Sequence, residues 1–234
     1  MQKILPDSNL FKEKLLEIKQ NPLENEENIF CISDEENRYI KMEAFEKDNN
    51  IFGILLDVSE DITQKKKLEH ERDYDLLTGL YSRRAFYQKL DEVFATPDKL
   101  VHSALVVIDS DNLKQINDNY GHDKGDLYLC EIADCLRVCS APDHMIARLG
   151  GDEFAVIIYN CNDRQELLHH LEDLNRDNEK DLLIHSEIEC KVTLSYSMGY
   201  AIYGDDGTDY HILLKQADIQ MYKNKMTKKG MPVR

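Results

Sequence analysis

The chain has 234 residues, 42% hydrophobic and 32% charged, which suits one medium-sized core with a small appendage and a well-solvated surface. Its formal net charge of -16 argues against a general nucleic-acid or anionic-membrane binder, which needs a basic face. It does not exclude a nucleotide substrate, because a few lysines and metal ions can hold a triphosphate on an acidic protein.

The apolar runs are short, such as Ala104 to Ile108, and the first residues lack a basic segment followed by an apolar stretch. Neither a membrane span nor a secretory leader is expected. Six cysteines occur without a CxxC pair, and Cys130, Cys135 and Cys139 share one helical stretch without a matching His/Cys cluster. This usage favours reduced thiols in a cytoplasmic protein over disulfides or a metal site.

In chain order, residues 1 to about 26 predict a polar helix around Phe11 to Ile18, then a loop at Asn21-Pro22. Three strands follow, over 29–32, 39–45 and 51–58, separated by turns rich in Asp, Glu and Asn, as in a small antiparallel meander. So few elements make a thin core, which points to an incomplete or partnered unit. Residues 59–73 are highly charged, lack Gly and Pro, and carry Ile62 and Leu68 as sparse apolar positions. They predict a connecting helix, either solvated or a short coiled coil in a dimer. Helices over 83–95, 124–139, 165–178 and 209–226 then alternate with strands over 104–109, 145–148, 154–159 and 188–202. That alternation predicts an α/β or α+β domain with helices packed on a central sheet.

Two stretches carry chemistry. Arg148-Leu149-Gly150-Gly151-Asp152-Glu153-Phe154 sets two strand-like segments around a Gly-Gly pair, a hairpin signal that lets backbone approach a ligand closely. Two carboxylates after the turn project to opposite sides of the strand, although a tight turn with acidic decoration would look the same. The second stretch, Val106-Val107-Ile108-Asp109-Ser110-Asp111, runs a buried strand into acidic residues, a usual place for hard-metal ligands in α/β sheets. Lys114 and Asn117 follow, and then Tyr120-Gly121-His122-Asp123-Lys124-Gly125-Asp126, which reads as a Gly-punctuated loop ahead of a helix.

Together these residues resemble the GGDEF domain of diguanylate cyclases, from about Asp73 to Gly230. The pieces occur in family order: Asp75-Leu76-Leu77-Thr78-Gly79-Leu80 with Arg83-Arg84, the Asp109 to Asp126 block, Gly150 to Phe154, then Ala217-Asp218 with Met221-Tyr222 and Lys225. The resemblance implies a nucleotidyl-cyclase-like palm, with a central mostly antiparallel sheet wrapped by helices. It implies condensation of two GTP into cyclic di-GMP and two pyrophosphates, by a homodimer, with no nucleic acid or membrane contact. Asp109, Glu153 and the backbone carbonyl of Ser110 would hold two Mg²⁺ (Mn²⁺ as an alternative), which neutralise the triphosphate and activate the 3′-hydroxyl. Asp152 would contact metal or accept a proton, and Lys114 would bind phosphate and stabilise transition-state charge. Lys225 would make a second phosphate contact. Asn117 and Asp126 would read the guanine edge, a donor-acceptor pattern that rejects adenine. Gly150 and Gly151 would let the hairpin approach the phosphates, and His122 falls at a family position read as loop-stabilising rather than catalytic.

Several positions depart from the family pattern. Ser82 stands where Asn is usual and Leu113 where Phe is usual. Lys228-Lys229-Gly230 replaces Gly-Arg-Asn, so Lys229 would substitute for an arginine without its bidentate geometry. Ala141-Pro142-Asp143-His144 stands at the offset of the Arg-x-x-Asp inhibitory site, which implies lost or weakened product inhibition there. Residues 39–61 resemble the last strands of a PAS sensor domain and its Asp-Ile-Thr exit, too short for a whole one. The expected organisation is a partial PAS-like sensory segment at 1–58, a linker helix at 59–73 and the GGDEF domain at 74–234. A catalytically silent GTP-binding module and a purely structural dimerisation module are the competing readings.

Overall fold

The computed structural model describes residues 22–23, 26, 28–33, 35–47, 50–140, 144–176, 179–184 and 190–230. The helix expected around Phe11 to Ile18 and positions 141–143 of the inhibitory-site offset lie outside them. The chain divides into two compact units, with the boundary between His70 and Glu71.

The first unit holds strands β1 (Ile29–Ser33), β2 (Arg38–Lys47) and β3 (Asn50–Asp57) in the antiparallel order β1-β2-β3, the expected meander. Helix α1 (Ser59–Asp73) follows, with Glu60 and Asp61 in its first turn, where the helix dipole favours negative charge. Tyr39 N–H donates to the Ser59 hydroxyl at 2.9 Å, and that hydroxyl donates to Asp57 at 2.6 Å. Ile29, Tyr39 and Ile62 form the buried cluster of this unit. So small a core supplies little stability by itself.

The second unit is a six-stranded sheet. Its strands are β4 (Tyr81–Ser82), β5 (Ala104–Ser110), β6 (Met145–Gly150), β7 (Glu153–Ile158), β8 (Glu179–Ile184) and β9 (Cys190–Ile202), in the order β4-β6-β7-β5-β9-β8. The pairs are antiparallel except β4 with β6. Helices α2 (Arg83–Phe94), α3 (Leu113–Tyr120), α4 (His122–Cys139), α5 (Arg164–Arg176) and α6 (Tyr210–Lys228) cover both faces. Alternate residues of β5 serve opposite layers. Val106 and Ile108 pack with Tyr128, Ile132 and Leu167, whereas Leu105 and Val107 pack with Phe86, Leu90, Leu213 and Ala217. Burial on both faces explains why β5 and β7 read as continuous apolar runs.

The mostly antiparallel sheet wrapped by helices is the architecture expected from the sequence. Two local readings change. The stretch expected as a loop before a helix is already helical from His122, and α3 precedes it. Among the described residues of α3 only Ile116 is buried, so a helix of eight mostly polar residues left too short an apolar period to detect. Strand β8 was missed because three charged residues in its six interrupt any alternation.

Candidate active site

The site is built at the C-terminal end of β5. Asp109 pairs in register with Glu153, the first residue of β7, and Ser110 N–H donates to the Asp152 carbonyl at 3.0 Å. The turn between β6 and β7 passes through Gly150 (φ 138°) and Gly151 (φ 55°), both in the positive-φ region that side chains resist. These glycines hold the Asp152-Glu153 pair directly against the end of β5. Glu153 is exposed, Asp152 half-buried, and the Asp109 side chain only 17% exposed.

Helix α6 delivers cations to this edge. Lys225 forms an ion pair with Asp109 and donates to the Ser110 carbonyl at 3.2 Å. One turn on, Lys228 donates to the Tyr196 carbonyl at 2.9 Å and pairs with Asp111 at 3.3 Å. Asp111 also accepts from the hydroxyls of Ser195 and Ser197, both at 2.6 Å. Burial pushes the Asp109 carboxyl above the usual carboxylate range; the Lys225 ammonium opposes this, and the nearby Asp152 and Asp111 charges add to it. An acidic group so crowded favours positive charge beside it. The Asp109 carboxylate and Ser110 carbonyl already converge on one cation, the Lys225 ammonium. Their hard oxygen donors, with Glu153 across the strand pair, suit a divalent ion such as Mg²⁺.

The remaining candidate residues, which would form the other wall, lie on α3 and α4, the helices that follow β5 in the chain. Lys114 and Asp126 are exposed, and Asn117 is half-buried. The Oδ1 of Asn117 is buried and finds no hydrogen-bond partner among the described residues. A Cβ on Gly125 would come within 1.9 Å of that oxygen, so glycine at this helical position leaves room for the amide. His122 opens α4, exposed, directly after Gly121.

A brace behind the hairpin went unrecognised in the sequence. Arg148 donates through Nε and a terminal nitrogen to the Gly151 carbonyl, at 3.1 and 2.8 Å, and through its other nitrogen to Asp75 at 3.1 Å. Asp75 in turn accepts from the Thr78 N–H at 2.9 Å and its hydroxyl at 2.7 Å. The Asp75–Leu80 turn thus fixes the guanidinium that holds the Gly-Gly turn. The pairing of Lys228 with Asp111 was not foreseen either. The three-residue spacing of Lys225 and Lys228 on a helix, and of Ser195 and Ser197 on alternate strand positions, was the available signal. Lys229, named from the sequence, is exposed at the C-cap of α6. Ser82, at the Asn position, caps α2 by accepting from Ala85 N–H at 3.2 Å. Leu113 packs at the margin of the main core.

Comparison with known proteins places this mixed α/β domain in a family. The chain belongs to the family described as "Diguanylate cyclase, GGDEF domain", which matches residues 72–231. Diguanylate cyclase DgcP of Escherichia coli (strain K12) is 34% identical over 162 residues, covering 68% of this chain and 46% of that protein. Cyclic di-GMP phosphodiesterase PdeB of Shewanella oneidensis is 32% identical over 176 residues, covering 74% of this chain and 20% of that protein. The solved coiled coil and GGDEF domain of DgcB from Caulobacter crescentus, in complex with c-di-GMP, superposes with a TM-score of 0.63 at 26% identity. That match covers 74% of this chain and 89% of that one. The chain spans less than half the length of the curated relatives it matches. Among the described residues no helix is long and apolar enough to cross a membrane.

Proposed function

We propose that the protein is a diguanylate cyclase that condenses two GTP into cyclic di-GMP and two pyrophosphates. The observation that carries this reading is the cross-strand pair Asp109 and Glu153 beside the Gly150-Gly151 turn, with the Lys225 ammonium on Asp109 and on the Ser110 carbonyl. Asp109, Glu153 and the Ser110 carbonyl would hold Mg²⁺, or Mn²⁺ in its place. Bound there, divalent ions neutralise triphosphate charge and ease attack of a 3′-hydroxyl on the α-phosphorus.

Each other residue has a task compatible with its position. Asp152 lies beside Glu153 as a further carboxylate, for contact with the ion or acceptance of the 3′-hydroxyl proton. Lys114, Lys225 and Lys229 bind phosphate oxygens, and the two glycines let the hairpin backbone approach them. Along the guanine edge the Asn117 amide, whose oxygen has no partner among the described residues, donates and accepts, and the Asp126 carboxylate accepts from ring and exocyclic N–H groups. Each domain holds one GTP and the product joins two nucleotides, so two copies face each other during turnover. The N-terminal sheet and the helix leading from it form a sensory and linker portion of PAS-like origin, and the reaction runs in the cytoplasm.

The test is incubation of the protein with GTP and Mg²⁺, with chromatographic detection of cyclic di-GMP and pyrophosphate, beside Asp109→Ala and Glu153→Ala variants. Product from the parent protein alone is expected. GTP binding without product would place the chain with catalytically silent GTP-binding modules, a reading favoured by its similarity to a protein named as a phosphodiesterase.

A further inference from the structure

At the opposite end of the β6–β7 ribbon from the Gly-Gly turn, three metal-ligating side chains from separate segments converge. His144 immediately precedes β6, Cys161 follows β7 after two residues, and His170 lies in the middle of α5. Pairing of Met145 with Ile157 sets the two strand ends side by side, and α5 begins three residues after Cys161. The donor atoms of His144, Cys161 and His170 all lie within 4.8 Å of one another, and all three residues are half-buried. The Glu166 carboxylate, one helical turn before His170, stands 4.0 Å from its Nε2. Its other oxygen accepts from the Asn162 N–H at 2.6 Å and side-chain amide at 2.9 Å, which fixes the carboxylate there.

We infer that His144, Cys161 and His170 form a binding site for a borderline transition-metal dication of the Zn²⁺ class, with the Glu166 carboxylate adjacent to it. Two imidazoles and one thiolate are a nitrogen and sulfur set that Zn²⁺ takes in tetrahedral sites, with the fourth position left to water or to Glu166, whereas Mg²⁺ and Ca²⁺ prefer oxygen alone. A tetrahedral ion with bonds of about 2.0–2.3 Å sets its ligand atoms roughly 3.3–3.8 Å apart, so closure asks for side-chain shifts of about 1 Å. Such an ion would pin α5 to the ribbon end, about 20 Å by strand rise from the Gly-Gly turn. It is therefore separate from the Asp109 site in position and in donor chemistry.

The plainer account is packing. The His144 and His170 rings meet edge to face, with centroids 4.5 Å apart at 88°, and the Cys161 thiol borders the main core. An edge-to-face pair accounts for the two rings. It does not account for a thiol whose sulfur also falls within reach of both ring nitrogens. Burial, with Glu166 and Asp163 adding to it, pushes that thiol up to about 11, so without a metal it is neutral. Coordination would replace its proton.

Co²⁺, an optical probe for Zn²⁺ sites, tests this on the whole chain after chelator stripping. One equivalent should give ligand-field bands of a tetrahedral ion and a near-ultraviolet thiolate-to-metal band, both removed by one equivalent of Zn²⁺. The thiolate band should vanish in Cys161→Ser and persist in Cys31→Ser. His170→Ala should weaken Co²⁺ binding by about 100-fold or more. Cys161→Ser is nearly isosteric, so it decides the matter even if His170→Ala does not fold. Absence of the thiolate band, or its persistence in Cys161→Ser, would leave ring packing as the whole explanation and overturn the site. These spectra are read without GTP and stand whether or not the chain makes cyclic di-GMP.

Discussion

The two walls of the candidate site, the strand wall at the end of β5 and the helix wall of α3 and α4, differ in how far their polar groups are satisfied within the protein. On the strand wall Asp109 and Asp111 are each paired with a lysine of α6, and Asp111 is further held by two serines. On the helix wall Lys114 and Asp126 stand exposed, and the buried Asn117 amide oxygen has no hydrogen-bond partner among the described residues. Charge handled in a partly buried place must be balanced at all times, so the strand wall carries its own counterions. A base is recognised by matching donors to acceptors, and a group already satisfied by the protein would have nothing to offer it. An unsatisfied buried amide oxygen costs on the order of 1–3 kcal/mol, which a ligand donor would offset.

Gly125 gives the sharpest way to break this contrast and the largest effect. Alanine in a helix interior is ordinarily better than glycine by roughly 0.5–1 kcal/mol, so Gly125→Ala would be neutral or stabilising on propensity alone. Here the added methyl would press against Asn117 Oδ1 at 1.9 Å and displace the amide. The expected result is a KM for GTP raised about 10- to 100-fold, equivalent to about 1.4–2.8 kcal/mol of lost recognition, with kcat reduced less. Steady-state kinetics measure it. An unchanged KM would show that the helix wall does not use that amide.

The brace of the strand wall comes next. Asp75 is held below the usual carboxylate range: burial pushes it up, but the Thr78 hydrogen bonds and then the Arg148 guanidinium outweigh that. Its native carboxyl therefore binds fewer protons than the unfolded one. The stability it contributes is present above its unfolded pKa of about 3.9 and is lost as pH falls through the lower folded value. Asp75→Asn is expected to lose about 1–2 kcal/mol at pH 7, after allowance for partial exposure. The gap to the parent protein should close as the pH is taken below that range, and a denaturant series across pH reads it. A gap that stays constant down to the lowest pH would mean that the carboxylate charge contributes nothing.

The contrast between walls also explains what could be read from the chain itself. Asp109, Glu153 and the Gly-Gly turn are legible because a buried strand ending in carboxylates and a two-glycine turn are local patterns. Lys225 and Asn117 became assignable only through family resemblance. Arg148 with Asp75, separated by 73 positions, and Lys228 with Asp111, separated by 117, are contacts of tertiary structure, with no local period to announce them. The same holds for α3, in which Ile116 is the one buried residue. At the far end of the β6–β7 ribbon the sequence favoured plain reduced thiols. His144, Cys161 and His170 come together only when the two strand ends pair and α5 folds back.

Ser82 supplies the smallest effect and a control on both walls. Its hydroxyl accepts from Ala85 N–H at 3.2 Å, capping α2, and donates to the Arg72 carbonyl at 2.8 Å. The family's usual Asn would fill the same capping role, which is why this departure is mild. Ser82→Ala leaves one helix donor without its side-chain acceptor and is expected to destabilise by about 1 kcal/mol. Ser82→Asn should restore most of that. Because α2 packs against the sheet face away from α3 and α4, neither KM for GTP nor kcat should move in either variant. A kinetic change in Ser82→Ala comparable to that in Gly125→Ala would mean that strain in α2 reaches the site through β4 and β6, and that the walls are not independent.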